Sequence, residues 1–403
     1  MFRAVKRLTL QGASFFQRRC ESRAGTKTGA VHVEEVFLDW ARQIHKENPV
    51  ADAHFDLAAE VYERRLAGER NVVERRYLPH FREASLNVLV SSVYVSGRDL
   101  PELGLRKALG QITALREDLE AASDQICVVT RKEELDKALW AKKIAVILSL
   151  EGLDPLGSDL MLLRTFYDLG VRGASLTWSR RNAFATGCCK AGEYREIPGG
   201  LTELGREAVS EIEALGMYLD VSHLNHEGFA EVCACAKKPF TASHSNAWSV
   251  HKSYRNLKDD QIEAIAARGG VIGLNACALL TGAGPEAAVH KAGEVSPALQ
   301  PPGVPGGALG SAREAAMTQL CRHAEYLVSK AGDAHVGCGF DLCRGLSEAT
   351  PRIYFETEDD DILAHHGEMV KLTAMLLARG MREDTVIGLI GGNFLRFFRE
   401  RLG

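Results

Sequence analysis

Several features that direct a chain to membranes, nucleic acids or disulfide scaffolds are missing from these 403 residues. No apolar run approaches the roughly 20 residues of a membrane-spanning helix, so we expect no membrane anchor. With 49 Lys and Arg against 53 Asp and Glu, no broad basic surface is available to bind nucleic acid. The ten cysteines include no C-x-x-C pair of the kind that holds structural zinc. Cysteines within apolar runs are typical of a reducing compartment, and we expect a cytoplasmic location.

Acidic residues are almost missing from the first thirty residues, where Glu21 is the one acid among seven Lys and Arg residues. This segment also lacks the apolar core of a secretory signal. An Arg-rich, acid-poor segment matches an organellar presequence, and a disordered or loosely packed basic extension remains an equal alternative. We therefore expect residues 1–30 to form an N-terminal extension and residues 31–403 to form one catalytic domain.

From residue 49 onward, short apolar runs alternate with helical patterns. Eight runs predict strands, at residues 49–56, 86–94, 144–151, 171–177, 217–222, 238–243, 270–276 and 335–341, and 125–130 is a candidate ninth off the main sheet. Helical patterns cover residues 105–124, 159–169, 202–215, 227–236 and 259–267. Eight strands separated by helices is the count of a single (β/α)₈ TIM barrel of the α/β class. The Gly- and Pro-rich stretch 281–310 predicts a loop over the barrel mouth, followed by a capping box at Ser311-x-x-Glu314.

Histidines and acids collect where the predicted strands end. The residues at these positions are His54, Asp56, Glu151, His223, His244 and Asp341. Parallel strands bring these ends to one rim, where barrel enzymes bind their ligands. Each residue alone has a structural alternative, such as a strand-end histidine or a helix N-cap. Together, imidazole nitrogens and carboxylate oxygens are typical of zinc. Because so many ligands exceed the needs of one catalytic zinc, we expect two Zn²⁺ ions that share Glu151.

Motifs along nearly all of the chain after residue 45 resemble the renal (membrane) dipeptidase family, zinc barrel enzymes of the amidohydrolase type. The matching stretches are DAHFDL (52–57), SLEG (149–152), GLTELG (200–205), LDVSH (219–223), SHS (243–245), RN (255–256), GCGFD (337–341) and GGNFLR (391–396). They occur in the order of the family.

The resemblance implies a zinc metallodipeptidase that cleaves the peptide bond of a small dipeptide substrate. In this family pattern, His54 and Asp56 bind one zinc, His223 and His244 bind the other, and Glu151 bridges both. Asp341 then serves as general acid and base, with Glu151 as its catalytic partner at the metals. Arg255 binds the carboxylate of the dipeptide. The family also suggests a homodimer.

Three positions and one short stretch depart from the family pattern on the substrate side. Trp178 stands where better-known members carry a substrate-binding histidine, and we expect it to contact substrate. Thr186 and Cys343 each stand where Asp is common, and Ala276-Cys277-Ala278 stands where aromatic residues are usual. These changes favour, as an alternative, an amidohydrolase acting on N-acyl amino acids or lactams. A non-hydrolytic metal-binding relative is a further alternative, against which the intact ligand set argues.

Overall fold

A computed structural model describes residues 29–188, 197–283, 312–349 and 361–403. Most of the predicted basic extension, most of the predicted loop 281–310, and Ser311 lie outside these residues. The strands are β1 Val50–Phe55, β2 Leu86–Tyr94, β3 Ile126–Val128, β4 Ile144–Glu151, β5 Val171–Ser175, β6 Tyr218–Asp220, β7 Ile272–Leu274 and β8 Val336–Cys338.

The helices surround these strands. They are α1 Gly29–Glu47, α2 Leu57–Leu66, α3 Leu78–Glu83, α4 Gly104–Glu120, α5 Lys132–Trp140, α6 Leu162–Asp168, α7 Glu203–Ala214, α8 His226–Cys235, α9 Asp259–Ala267, α10 Ala278–Thr281, α11 Ala312–Ala331, α12 Arg344–Ala349, α13 Met369–Ala378, α14 Glu383–Ile387 and α15 Asn393–Arg401. Short 3₁₀ turns occur at Gly97–Asp99, Asp154–Leu156 and His366–Glu368, and π-helical turns occur at Val73–Tyr77 and Gly388–Gly392. None of the described helices is both long and apolar enough to cross a membrane.

The strands form a curled parallel sheet in the order β1-β2-β4-β5-β6, with β3 paired to the side of β4. Two isolated parallel bridges, Asp220 to Thr241 and Ala242 to Ile272, continue the sheet to the β7–β8 pair. The Asp341 amide donates to the His54 carbonyl at 3.2 Å, which joins the end of β8 to β1. The predicted TIM-barrel architecture is therefore confirmed, and the additional strand predicted at residues 125–130 is β3, outside the main order.

The predicted strand at residues 238–243 is wrong in its extent, because it is reduced to those two bridges. Pro239 has no N–H to donate to a strand ladder. The Ser243 amide donates to the Asp220 carboxylate at 2.9 Å instead of to a neighbouring strand. Backbone bonds nevertheless connect Thr241 to Leu219 at 3.0 Å and Gly273 to Ala242 at 2.8 Å. The segment thus keeps its place in the barrel wall.

Apolar side chains fill both sides of the barrel wall. Six residues of β2, among them Val88, Leu89 and Val90, are buried hydrophobics. Helix α7 begins as predicted, since the Thr202 hydroxyl accepts from the Gly205 amide at 3.0 Å. Phe394, Phe397 and Phe398 of α15 pack into a second buried cluster with residues of β1, β2 and β4. This burial fixes the strands whose ends carry the polar residues described next.

Two glycines allow the strands to approach one another closely beside those ends. A Cβ atom at Gly273 or at Gly339 would overlap the Ser243 carbonyl oxygen. Only residues without a side chain fit at these positions, so β7 and the end of β8 pack directly against the segment that leads into His244.

Candidate metal centre

The five predicted metal ligands meet at the carboxyl-terminal rim of the barrel. His54 lies near the end of β1, Asp56 follows that strand, and Glu151 is the last residue of β4. His223 follows β6, and His244 follows the bridged segment at Thr241–Ala242. All five side chains are buried. The strand ends thus bring together residues that are distant in the sequence, as predicted.

One carboxylate oxygen lies at the middle of this group. Glu151 Oε1 is 2.9 Å from Nε2 of His223 and 3.5 Å from Nε2 of both His54 and His244. The Nε2 atoms of His223 and His244 are themselves 2.8 Å apart. Three imidazoles therefore direct the same type of nitrogen at one carboxylate.

The donor atoms form two groups that share Glu151. His54, Asp56 and Glu151 make one set, and Glu151, His223 and His244 make the other, with the ligand atoms of each set within 4.8 Å of one another. Among the described residues, His54 Nε2 and Glu151 Oε2 are buried without a hydrogen-bond partner. Buried polar atoms are normally paired, so these two atoms have the environment expected of metal ligands. The nitrogen and oxygen donors fit zinc.

The charges of the group also fit a cation. Burial, followed by the neighbouring Glu151 charge, raises the pKa of Asp56 to about 8. Burial alone would lower the pKa of His54, but the carboxylates of Glu151, Asp341 and Asp56 outweigh it and raise that pKa to about 10. Clustered carboxylates without enough positive charge account for both shifts.

Polar contacts behind two histidines determine which nitrogen faces the centre. The Ser243 hydroxyl donates to the buried Asp220 carboxylate, so its oxygen is available to accept from His244 Nδ1, 2.6 Å away. That arrangement places the proton of His244 on Nδ1 and leaves the Nε2 lone pair facing Glu151. Ser179 Oγ makes the equivalent contact with His223 Nδ1 at 2.9 Å. Both imidazoles are therefore oriented as metal ligands.

Asp341 lies at the edge of the same group. Its Oδ1 is 3.7 Å from His54 Nε2, and its Oδ2 accepts from the Asn275 side chain at 3.0 Å. Its backbone has a φ of 57°, and that of His223 is 67°. The left-handed region costs a non-glycine residue about 1–3 kcal/mol and is concentrated at functional sites. One oxygen of Asp341 thus faces the centre while an amide holds the other.

The Arg255 guanidinium is buried against the histidines. It donates to the His244 carbonyl at 3.0 Å and to the Ser245 hydroxyl at 3.1 Å. A further N–H lies 3.2 Å from His223 Nε2. Together with burial, this charge lowers the pKa of His223 to about 3, which keeps that imidazole neutral. Arg255 is therefore held within reach of any molecule at the centre, as predicted.

The predicted substrate-side residues are only partly brought to the centre. The half-buried Trp178 ring lies 5.8 Å from the His223 ring and 4.7 Å from that of Tyr94. Cys343 has its sulfur 3.7 Å from Asp341 Oδ1 and forms a third possible metal group with Asp56 and Asp341. Thr186 is buried, its hydroxyl accepts a hydrogen bond from Arg181, and its carbonyl accepts from the Asn225 amide at 3.2 Å.

Sequence reasoning did not assign roles to several supporting residues. These are Ser92, which donates to Asp56, together with Ser179, Ser243, Asp220 and Asn275. Ser92 lies two residues before the end of β2 and the others lie at or beyond strand ends, which is the signal that identified the candidate ligands. The buried His366 bonds Asp52 Oδ2 at 2.8 Å, and Asp52 accepts from the His54 amide at 3.2 Å.

A comparison of the chain with known families is consistent with this geometry. The profile described as membrane dipeptidase (Peptidase family M19) matches residues 38–401. Dipeptidase verJ of Clonostachys rogersoniana is 27% identical over 292 residues, which cover 72% of this chain and 64% of that protein. An uncharacterized dipeptidase of Schizosaccharomyces pombe is 26% identical over 308 residues, which cover 75% and 64% of the two chains. The chain thus spans about 64% of the length of these curated relatives.

The chain is also similar to solved structures of metallopeptidases. Dipeptidase AC, described as a metallopeptidase of family M19, superposes with a TM-score of 0.69 at 26% identity and covers 88% of this chain and 99% of its own. A metallopeptidase from Rhodobacter sphaeroides, solved with a phosphinate mimic of the dipeptide L-Ala-D-Ala, superposes with a TM-score of 0.69 at 25% identity over the same shares.

Proposed function

The chain belongs to the membrane dipeptidase family, and from that premise we propose that it is a metallodipeptidase with two Zn²⁺ ions that share Glu151. The observation that carries the proposal is the common carboxylate of the two donor groups. We propose that residues 31–403 form its single catalytic domain.

The chain's donors divide between the two proposed ions. His54 and Asp56 would hold one, His223 and His244 would hold the other, and Glu151 would contribute to both. When bound, such a pair supplies Lewis acidity that polarises a carbonyl oxygen and activates water. The second-layer contacts of His223 and His244 keep their Nε2 lone pairs aimed inward, so the site is organised before an ion arrives.

Asp341 is the proposed proton carrier. Its Oδ1 faces the centre, 3.7 Å from His54 Nε2, while Asn275 holds Oδ2 at 3.0 Å. Burial raises the pKa of this carboxyl above its ordinary value, and the Glu151 charge adds to the effect, although His54 and Arg255 oppose it. A carboxyl with a raised pKa accepts a proton from the attacking water and returns it to the leaving amine.

Arg255 is the proposed anchor for the free carboxylate of the dipeptide. The His244 carbonyl and the Ser245 hydroxyl hold the guanidinium in place. The N–H that now lies 3.2 Å from His223 Nε2 becomes available once that nitrogen binds a metal ion. A guanidinium suits a carboxylate because it offers paired donors in one plane.

Trp178 is the proposed wall on the other side of the substrate. Its indole lies between Tyr94 and His223 and cannot accept the hydrogen bonds that an imidazole accepts. The same change motivated the alternative activity on N-acyl amino acids or lactams. That alternative is not favoured, because the relatives described above are dipeptidases and the buried arginine suits a free carboxylate.

An assay of the zinc-loaded protein against matched substrates tests the proposal. The panel contains L-L dipeptides, L-D dipeptides such as L-Ala-D-Ala, and the corresponding N-acetylated compounds. We expect metal-dependent release of amino acids from free dipeptides and little from N-acetylated ones. Turnover confined to the N-acetylated compounds would reject the dipeptidase function, and an absence of metal-dependent turnover on every compound would reject hydrolysis altogether.

A further inference from the structure

A separate group of side chains with metal-ligand chemistry lies away from the barrel rim, on α3 and beside the turn His366–Glu368. His80 and Glu83 are three positions apart on α3 and therefore share one helical face. His365 immediately precedes the 3₁₀ turn His366–Glu368 and stacks on His80, with ring centres 3.9 Å apart and an angle of 18° between the planes. Glu83 Oε2 is 3.9 Å from His80 Nδ1 and 4.0 Å from His365 Nδ1.

We propose that His80, Glu83 and His365 form a peripheral site for a divalent transition-metal ion, with zinc as the expected occupant. One ligand atom from each residue lies within 4.8 Å of the others. Zinc bonds of about 2.0–2.2 Å in tetrahedral geometry place donor atoms about 3.3–3.6 Å apart. The donors must therefore move closer, and the nearly parallel rings must turn so that their in-plane lone pairs converge on the ion. The side chains of His80, Glu83 and His365 are 40%, 58% and 32% exposed, so they have the freedom to make these movements.

Two features leave the donors available for an ion. Nδ1 of His365 is buried and has no hydrogen-bond partner in the part of the chain that the structure describes. Burial, followed by the neighbouring His80, lowers the pKa of His365, so this imidazole is neutral near pH 7 and its lone pair is free. A side chain at Gly367 would overlap the Glu83 carboxylate, so the glycine lets that carboxylate rest against the turn.

The group shares no residue with the barrel-rim centre and has its own space. His80 and His365 line a cavity of about 370 Å³ together with Phe55, Tyr77 and His366, which leaves room for water as a fourth ligand.

Arginines in the same cavity determine which ions the site selects. Arg64, Arg75, Arg76 and Arg344 also line it, together with Glu60 and Asp361. Arg76 and Arg64 are paired with Glu69 at 2.8 and 3.5 Å, but the four guanidinium groups outnumber the two carboxylates of the lining and oppose a cation. Binding must therefore come from the imidazole donors more than from net charge. Imidazoles favour Zn²⁺, Cu²⁺ and Ni²⁺ over Mg²⁺ and Ca²⁺. We accordingly expect Zn²⁺ to bind where Mg²⁺ does not.

Such an ion would join α3 to the turn at residues 366–368. The two elements are far apart in the sequence, and the stacked imidazoles are one of their contacts. A metal bond across the contact stabilises both elements by linkage, because the unfolded chain does not hold the three donors together. Slower hydrogen exchange in α3 on addition of zinc is the corresponding signature.

Equilibrium dialysis of the full chain against ZnCl₂ measures the site directly. The variants are His365→Gln and His80→Gln, with Glu83→Gln compared against the exposed Glu74→Gln as a charge-matched control. We expect the wild type and Glu74→Gln to bind one zinc equivalent more than the other three variants, with unchanged dipeptide hydrolysis in all of them. The variant Glu151→Gln, altered only at the rim, should retain the peripheral equivalent and its zinc-dependent protection of α3.

The proposal is overturned if His365→Gln and His80→Gln bind as many zinc equivalents as the wild type. It is also overturned if MgCl₂ fills the site as readily as ZnCl₂, or if zinc protects α3 from exchange equally in the wild type and in His365→Gln. These readouts do not depend on hydrolysis, so they stand whether or not the proposed dipeptidase function is correct.

Discussion

Asp220→Asn should weaken metal binding although Asp220 does not itself face Glu151. Oδ1 of Asp220 accepts from the amides of Ser222 and Ser243, each at 2.9 Å, and Oδ2 accepts the Ser243 hydroxyl proton. Asparagine keeps the oxygen for the two amides and places an NH₂ group opposite the hydroxyl. The Ser243 proton must then turn toward His244 Nδ1, which moves the imidazole proton to Nε2 and removes the lone pair that faces the centre.

The magnitude follows from the bond that is lost. To restore the metal-binding tautomer, the variant must leave the buried Ser243 hydroxyl proton without an acceptor, a cost of about 1–3 kcal/mol. This corresponds to about a 10–100-fold loss of zinc affinity, since each 1.36 kcal/mol is a factor of ten, and it agrees with the usual effect of removing a second-layer partner. Activity should return when zinc is in excess, because the ligands themselves remain.

Zinc affinity is measured by competition with a chelator, and Asp118→Asn serves as the matched control. Asp118 is equally buried and accepts from the amides of Val72 and Val73 at 3.1 and 2.7 Å, but it supports no histidine. We expect Asp118→Asn to lower thermal stability and leave zinc affinity unchanged. Wild-type affinity in Asp220→Asn would refute the tautomer argument. Complete loss of one ion even at saturating zinc would make Asp220 a ligand, since it lies within reach of His54 and His244.

Three further substitutions test the proposed roles at the centre. Glu151→Gln should abolish activity and lose at least one zinc while the circular dichroism stays native; two zinc ions per folded chain in metal analysis would contradict its bridging role. Asp341→Asn should retain both ions and lower kcat by about 10²–10⁴-fold, the usual contribution of general acid–base catalysis, and a wild-type rate would exclude Asp341 as the proton carrier. Arg255→Met should reduce kcat/KM for free dipeptides, with a loss of transition-state stabilisation of about 1.5–3 kcal/mol. Dipeptide amides should be poor substrates of the wild type and change little in that variant; equal cleavage of acids and amides would remove the carboxylate anchor.

The barrel and the ligand set were predictable because both depend on short-range sequence patterns. Apolar runs marked the strands, and the parallel arrangement required their carboxyl ends to share one rim. His54 and Asp56 lie on either side of Phe55, the last residue of β1, and Glu151 is the last residue of β4. The prediction for residues 238–243 was wrong in extent because Asp220 takes the Ser243 amide out of the ladder. That side-chain competition depends on a neighbouring strand and leaves no periodic signal.

Supporting contacts were harder to predict because they depend on register between strands. Ser179 contacts His223 Nδ1 only because the loop after β5 lies beside the end of β6. Asn275 contacts Asp341 across the β7–β8 pair in the same way. The stacked His80 and His365 come from elements without a common strand, so neither motif spacing nor barrel symmetry brings them together. Each of these residues is an ordinary polar residue in the sequence and acquires its role from packing.

The metal side and the substrate side of the centre are built from different kinds of structure. The ligands lie at strand ends whose positions are fixed by buried apolar neighbours and by the close approach at Gly273 and Gly339. Trp178 instead lies just beyond β5, where it packs on the Tyr94 ring and its surroundings are partly open. A substitution there changes the surface offered to substrate without moving a strand. This separation is compatible with a chain that keeps all the proposed ligands and carries a tryptophan where the family resemblance places a histidine, so the proposed chemistry and substrate preference can vary independently.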